Sequence, residues 1–256
     1  MSGDNGRSSG SDYSSGSGSS DSSDSSDSSR SSSSSSCSSG TTSGSRGSHS
    51  NTATRPGVSS CRVWEMCCAP DSRITEQSLR RGLLAKRLTL ETGWDFRKAH
   101  AGRKARLEAQ HKRVMKVWLS LPCTPWSSIQ NLNLNRPSAV RKKEKGREES
   151  RRMLQVCLPV LRVVTLCNGG DFYFEWPTGS QGWHAPELLE FRAAIKRQGR
   201  KVYECRVDGC SYGMRSKRTG RYLRKKWTVW TSDAVMFHKL GRRCPKDHLH
   251  DVIQGS

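Results

Sequence analysis

The first 60 residues contain no Leu, Ile, Phe or Trp. They are almost wholly Ser, Gly, Asp and Thr, in runs such as Ser20-Asp21-Ser22-Ser23-Asp24 and Ser31 to Ser36. With so little apolar surface to bury, nothing offsets the entropy lost on ordering, so residues 1–60 are expected to be a disordered tail. The segment has no apolar h-region, so it is not expected to act as a signal peptide. It also lacks the Arg-rich, acid-poor character of a transit peptide. Its serines beside aspartates are candidate phosphorylation sites. Long hydrophobic runs are missing everywhere: no stretch approaches about 18 uninterrupted apolar residues, so no membrane span or membrane partner is expected. No internal repeat is present either.

Acidic residues are scarce as well. The chain has 23 Asp and Glu against 44 Lys and Arg, a net charge of +21. The tail holds only four Arg against five Asp, so the excess positive charge lies wholly in residues 61–256. That length suits one domain. So basic a domain attracts polyanions, and nucleic acid is the expected partner. A solvated basic surface is the competing reading, and the run from Arg141 to Arg152 supports it. Basic residues also crowd 196–226 and 239–246, which favours nucleic acid. Ten scattered cysteines with no leader fit a reducing, intracellular compartment, with thiols buried, catalytic or metal-bound. Arg141-Lys142-Lys143-Glu144-Lys145 has the composition of a nuclear signal. Nothing sets the oligomeric state.

Hydrophobic patterning gives the order of elements. Cys61 to Met66 reads as a strand and Cys67 to Ser72 as a loop. A helix follows, with Ile74, Leu79, Leu83 and Leu84 near one face and Gly82 weakening its last turn. Leu88-Thr89-Leu90 reads as a second strand ending at Glu91. Residues 97–112 have helical propensity, and Val114 to Ser120 is a strand. Residues 131–150 read as an exposed polar loop running into a helix over about 148–167. Pro159 should kink that helix, and Asn168-Gly169-Gly170 should stop it. A strand runs to Glu175, Pro186 opens another helix, and strands cover 202–207 and 226–231. This alternation predicts a mainly parallel α/β sheet.

Leu121-Pro122-Cys123-Thr124-Pro125-Trp126-Ser127 follows the third strand directly. Pro122 fixes its own φ and restricts Leu121, so the Cys123 thiol is aimed. In open α/β sheets ligands bind at the carboxyl ends of the strands. A thiolate there is a strong nucleophile; a buried structural cysteine is the plainer alternative. Glu175, after Phe172-Tyr173-Phe174, stands at another strand end beside apolar bulk. Such surroundings raise a carboxyl pKa and suit proton exchange. A solvated glutamate is the alternative.

Three further groups are candidates. Glu65 closes the first strand, and Glu91 lies 26 residues beyond it. An acid after a second strand is where dinucleotide folds hold a ribose, although no GxGxxG is present and a surface glutamate is the alternative. Tyr212 to Arg221 places glycines among spaced cations, including Arg218 and Arg221, which suits a phosphate backbone or a basic hairpin turn. Cys244, His248 and His250, with Cys205 and Cys210, are residue types that bind zinc, though their spacing matches no standard finger and surface histidines are the alternative.

Pro122-Cys123-Thr124-Pro125-Trp126-Ser127 resembles the Pro-Cys-x-x-Phe-Ser loop of DNA cytosine-5 methyltransferases. Glu175 resembles that family's Glu-Asn-Val site. Tyr212-Gly213-Met214 with Arg218 and Arg221 resembles its Phe-Gly-Val-Pro-Gln-Arg-x-Arg segment. Glu65 to Ser72 falls at its Asp-Leu-Phe-x-Gly-x-Gly loop. All four occur in the family's order. The 122–133 stretch also resembles methyltransferase-like segments encoded in mobile elements. The resemblance implies a Rossmann-like open sheet and a catalytic domain over 61–256. It implies S-adenosylmethionine as cofactor, held by Glu65, Cys67, Pro70, Ser72 and Glu91. DNA rather than RNA would be the substrate. Cys123 would attack cytosine C6, Glu175 would hold N3, and Arg218 or Arg221 would support the base. The chain departs from the pattern in several places. Cys68-Ala69-Pro70-Asp71 replaces the glycines, Trp176 replaces Asn, and no Pro-Gln precedes the arginines. A catalytically inactive nucleic-acid-binding module on the same fold is therefore the alternative.

Overall fold

The computed structural model of the protein describes residues 61–127, 130 and 135–251. The expected disordered tail lies outside these residues. Everything described falls within one compact unit, Arg46–Ser256.

Six strands make the main sheet: β1 (Arg62–Met66), β2 (Leu84–Leu88), β3 (Lys116–Leu119), β4 (Asp171–Pro177), β5 (Tyr203–Asp208) and β7 (Lys226–Thr231). Their spatial order is β2-β1-β3-β4-β7-β5. The first four run parallel, as expected. β7 runs antiparallel to both of its neighbours, β4 and β5. Two short strands, β6 (Tyr222–Leu223) and β8 (His250–Asp251), pair apart from the main sheet.

The helices cover the two sheet faces unequally. On one face, α2 (Ala99–His111), α3 (Pro137–Arg162) and α4 (Pro186–Arg197) bury Ala105, Leu154, Leu161, Leu188 and Ile195 against Met66, Val117, Phe172 and Phe174. α2 and α3 approach so closely at Gly102 that an added Cβ would lie 2.5 Å from Val156 Cγ1. The other face carries only two short helices. α1 (Ile74–Arg80) packs on β1 and β2, and α5 (Ala234–Leu240) packs on β5 and β7. The carboxyl halves of β3 and β4 lie between them. That gap exposes part of Trp118 and Glu175.

Two expectations are corrected. The second strand is Leu84–Leu88, not 88–90. Gly82 takes a left-handed φ of 73° and ends α1 at Arg80, two residues before Gly82, which frees Leu84 for the strand. Lys86 and Arg87 belong to a sheet edge, where charge blunts unwanted pairing. Leu90–Thr92 is instead a 3₁₀ turn capped by Thr89. The basic run is not a loop: α3 begins at Pro137 and continues through Pro159 to Arg162, and a π turn follows over Val163–Cys167. Pro137 sits where a missing N–H matters least. Arg, Lys and Glu are good helix formers, and Arg152 pairs with Glu148 at 3.2 Å. The candidate nuclear signal therefore lies on this helix. Among the described residues no helix is long and apolar enough to cross a membrane.

One polar network fastens α5 to the sheet. Asp233 caps α5 by accepting from Met236 N at 3.0 Å. It also accepts from Tyr173 Oη at 2.7 Å and Lys116 Nζ at 2.9 Å. Burial works against the Asp233 carboxylate, but Tyr173, the Met236 N–H and Lys116 outweigh it and hold its pKa at about 2, below the ordinary 3.8. A depressed carboxyl pKa stabilises the fold above 3.8, and that stabilisation is lost as pH falls towards 2. Asp233→Asn should cost about 1–2 kcal/mol at neutral pH. Urea titrations at several pH values should show wild type and variant converging in acid.

Candidate active site at the carboxyl edge of the sheet

The loop after β3 is clamped from two sides. Trp176, 1% exposed on β4, donates its indole N–H to Leu121 O at 2.8 Å. Trp126 donates to Ser150 Oγ of α3 at 2.8 Å. Arg147 of α3 donates from Nε to Pro125 O at 3.1 Å, and its guanidinium lies 5.1 Å from the Trp126 ring centre. Cys123 caps the 3₁₀ turn Thr124–Trp126, with Trp126 N donating to Cys123 O at 3.0 Å. Part of the basic run thus grips the cysteine loop instead of facing only water.

Cys123 and Glu175 come together at the ends of adjacent strands. The β3–β4 register aligns Leu119 with Phe174, which puts the residues that follow side by side. Trp118 donates its indole N–H to Glu175 Oε2 at 3.3 Å and to Ser120 Oγ at 3.0 Å. Burial raises the Glu175 pKa, the Trp118 N–H and the Lys225 charge partly offset this, and the Glu65 charge adds to it. Burial also raises the Cys123 pKa. Its own backbone N–H and Lys225 oppose the rise, and Glu175 reinforces it. Lys225, just before β7, is therefore the cation acting on both groups. Arg218 and Arg221 are exposed further out, on the loop before β6. Lys225 was missed because it reads as one more residue of a basic cluster; only the pairing of β7 with β4 brings it in.

Strand order reverses between β1 and β3, the switch point where open α/β sheets bind ligands. A cleft of about 270 Å³ opens there, lined by Cys67, Thr89, Trp94, Asp95, Phe96 and Pro122 among others. Its aromatic and apolar walls suit a flat base, and Pro122 joins it to the cysteine loop. Asp95 in the lining is already paired with Arg97, which donates from Nε to Oδ1 at 2.8 Å and from Nη2 to Oδ2 at 3.1 Å. The residues named from sequence for S-adenosylmethionine are placed unevenly. Cys67 lines the cleft and holds φ of 55°, a left-handed turn that glycine adopts more easily. Glu65 is 1% exposed and occupied: Ser72 Oγ donates to it, and Thr75 donates from N at 3.0 Å and Oγ1 at 2.6 Å. Pro70 O accepts from Arg87 Nη1 at 2.9 Å, and Ser72 O accepts from the same guanidinium. Glu91 is exposed on the 3₁₀ turn, outside the cleft lining, where Asp95 stands instead. Burial and the Glu65 charge push the Cys68 thiol up to about 12.

A second cluster lies at the far end of the Lys225 segment. Cys210, Cys244, His248 and His250 offer four ligand atoms within 4.8 Å of one another, and this group could hold a metal ion. Cys244 Sγ lies 3.3 Å from His250 Nε2 and 3.8 Å from His248 Nε2. Cys205, expected among these ligands, is instead packed with Tyr173, Val207 and Val229 against α5, its thiol 3.7 Å from Phe237 O. It points into the sheet face because β5 alternates, while Cys210 follows the strand end.

Family models, curated proteins and solved structures offer no match to this chain. Its chemistry is read from the site alone.

Proposed function

We propose that the protein is an S-adenosylmethionine-dependent methyltransferase that acts on a cytosine base in nucleic acid, DNA in preference to RNA, through Cys123. The observation that carries this reading is the placing of Cys123 and Glu175 at the carboxyl ends of adjacent strands, with the Lys225 charge acting on both, while Pro122 of the same loop lines the nucleoside-sized cleft. When bound, S-adenosylmethionine supplies an electrophilic methyl group. Cys123 gives its proton to solvent, and its sulfur bonds to C6 of the ring. Lys225 favours the thiolate, and Glu175 gives its proton to N3 as the C5–C6 electron pair moves to C5. That pair would take the methyl group of the bound cofactor, which would leave as the neutral thioether S-adenosylhomocysteine. Loss of the C5 proton to water then breaks the C6–sulfur bond, and N3 returns its proton to Glu175. The base must leave its stack to reach Glu175, and the basic surface supports the phosphates.

Transfer of labelled methyl groups to a cytosine-containing duplex, against the same sequence as RNA, tests the reading. Glu175→Gln should lower the rate about 10²–10⁴-fold, the usual worth of a positioned acid. Burial raises both groups from their ordinary values, 4.5 for the carboxyl and 9.0 for the thiol, so Glu175 ionises first. In wild type the rate should rise with pH as the thiolate forms and level off as Glu175 loses its proton, whereas in Glu175→Gln the rise should continue until the thiol itself is ionised. A rate unchanged in Glu175→Gln would remove the proton-transfer role.

The alternative, a binding module without catalysis, is favoured by one observation. Glu65 is tied to α1 and the turn at Cys67 lacks glycine, so the first loop offers the cofactor little. Duplex binding with no cofactor binding by calorimetry would select it. We also infer that zinc is the ion of the second cluster, because paired thiolates and imidazoles select it over hard cations.

A further inference from the structure

The second cluster has the surroundings of a built metal site. Asp247 Oδ1 lies 2.6 Å from His248 Nδ1, which leaves Nε2 directed at Cys244. A carboxylate behind a histidine is the usual way to orient an imidazole ligand. Lys246 N donates to Cys244 Sγ at 3.3 Å, and Lys246 holds φ of 66° to do so. Such backbone strain in a lysine persists only where the surroundings impose it. Cys244 N donates to Asp208 Oδ2 at 2.8 Å, and Asp208 is 1% exposed. Four protein ligands make a closed, structural site, not a catalytic one.

The same cluster anchors a basic hairpin. The chain leaves Cys210, turns through Gly213, and doubles back at Gly220, with Ser216 N donating to Arg221 O at 2.8 Å. It returns as β6, which pairs with β8, the strand that holds His250. The Tyr222 ring lies 4.1 Å from the His248 ring, and the Arg215 guanidinium lies 3.8 Å from Tyr222 on top of it. A two-stranded piece of two residues each is too small to hold itself together in water. Lys217, Arg218 and Arg221 are exposed and take part in no ion pair among the described residues. Lys225, at the base of this hairpin, stands over the Trp227 ring at 5.0 Å, and its charge acts on Cys123.

We propose that zinc at Cys210, Cys244, His248 and His250 staples this hairpin into a phosphate grip, so that nucleic-acid binding depends on the metal. The substrate part of this proposal rests on the reading of the protein as acting on nucleic acid; the metal part does not. Elemental analysis of the purified full chain should find one zinc per chain. Cobalt substitution should give the spectrum of a tetrahedral thiolate site. Both should be lost in Cys244→Ser and His250→Ala and kept in Cys205→Ser.

Chelation should weaken binding of a DNA duplex, and added zinc should restore it. A combined Lys217→Ala, Arg218→Ala and Arg221→Ala variant should keep its zinc, which shows that it is folded. It should weaken binding while reducing the log–log salt slope by about 0.9 for every phosphate that is no longer neutralised. No stoichiometric zinc would overturn the proposal. Zinc present with duplex binding untouched by chelation or by the combined variant would overturn the grip. Zinc-dependent binding without methyl transfer would sustain this proposal and defeat the catalytic one.

Discussion

A Cys123→Ser variant should form no denaturant-stable adduct with a duplex carrying 5-fluorocytosine in the presence of S-adenosylmethionine, whereas wild type should form one. Fluorine at C5 cannot leave as a proton does, so the bond between Cys123 sulfur and C6 is trapped after methyl transfer. A serine hydroxyl placed there lacks the low pKa and the nucleophilicity of a thiol. Because the loop is held by Trp176, Trp126 and Arg147, the serine should occupy the same place, and the variant should still bind duplex. Methyl transfer should fall by roughly 10⁴-fold or more, as for other enzymes deprived of their nucleophile. Mass spectrometry of the denatured complex reads the adduct directly. An adduct retained in the serine variant would assign the nucleophile elsewhere; no wild-type adduct despite duplex binding would favour the binding module.

The second large effect belongs to Trp176. It packs against Phe174 and Trp183 with ring centres 4.9 and 5.9 Å apart, and Gly182 leaves room for its six-membered ring. Trp176→Ala should destabilise the fold by about 3–5 kcal/mol, the usual range for emptying so large a buried site. Trp176→Phe separates packing from positioning. It keeps most of the ring volume but loses the bond to Leu121 O, leaving a buried carbonyl without that donor, at a cost of about 1–3 kcal/mol. Chemical denaturation measures both variants. If the tryptophan aims the cysteine loop, Trp176→Phe should lower the methyl-transfer rate by more than its stability loss predicts while leaving duplex affinity unchanged. Trp176 thus serves the loop that carries Cys123, through its bond to Leu121 O.

The parts of the fold legible in the sequence were those with strong local signals. Apolar runs before Cys123 and Glu175 marked β3 and β4, and Pro186 marked the start of α4. Alternation of strands and helices was enough for a mainly parallel sheet. The antiparallel insertion of β7 between β4 and β5 was not legible, since strand order is decided by long-range pairing. The helix over Pro137–Arg162 was missed at its start because charge density resembles a loop until its partner is known; that partner is the cysteine loop. Cys123 and Glu175 were legible as strand-end residues. The places of Asp95 and Lys225 were not, because each stands on a turn whose position only the folded chain sets. Cys205 and Cys210 look interchangeable in the sequence, yet strand alternation buries one among side chains and the strand end delivers the other to the histidines.

The thin cover over β3 and β4 on the α1 and α5 face has an energetic consequence. Glu175 stands on the same face as Trp118, on one neighbouring strand, and Trp227, on the other. Both indoles are only half-buried, so neither is fully committed to the core. Lifting a base from a duplex sacrifices its stacking, at a few kcal/mol. Contact with an aromatic side chain recovers about 1–3 kcal/mol per base and accepts any base, since each has a π-face. On the reading proposed for this protein, the thin cover would leave a surface that lowers the energetic barrier to extrusion without choosing among bases, and that choice would fall to Glu175 between the two rings.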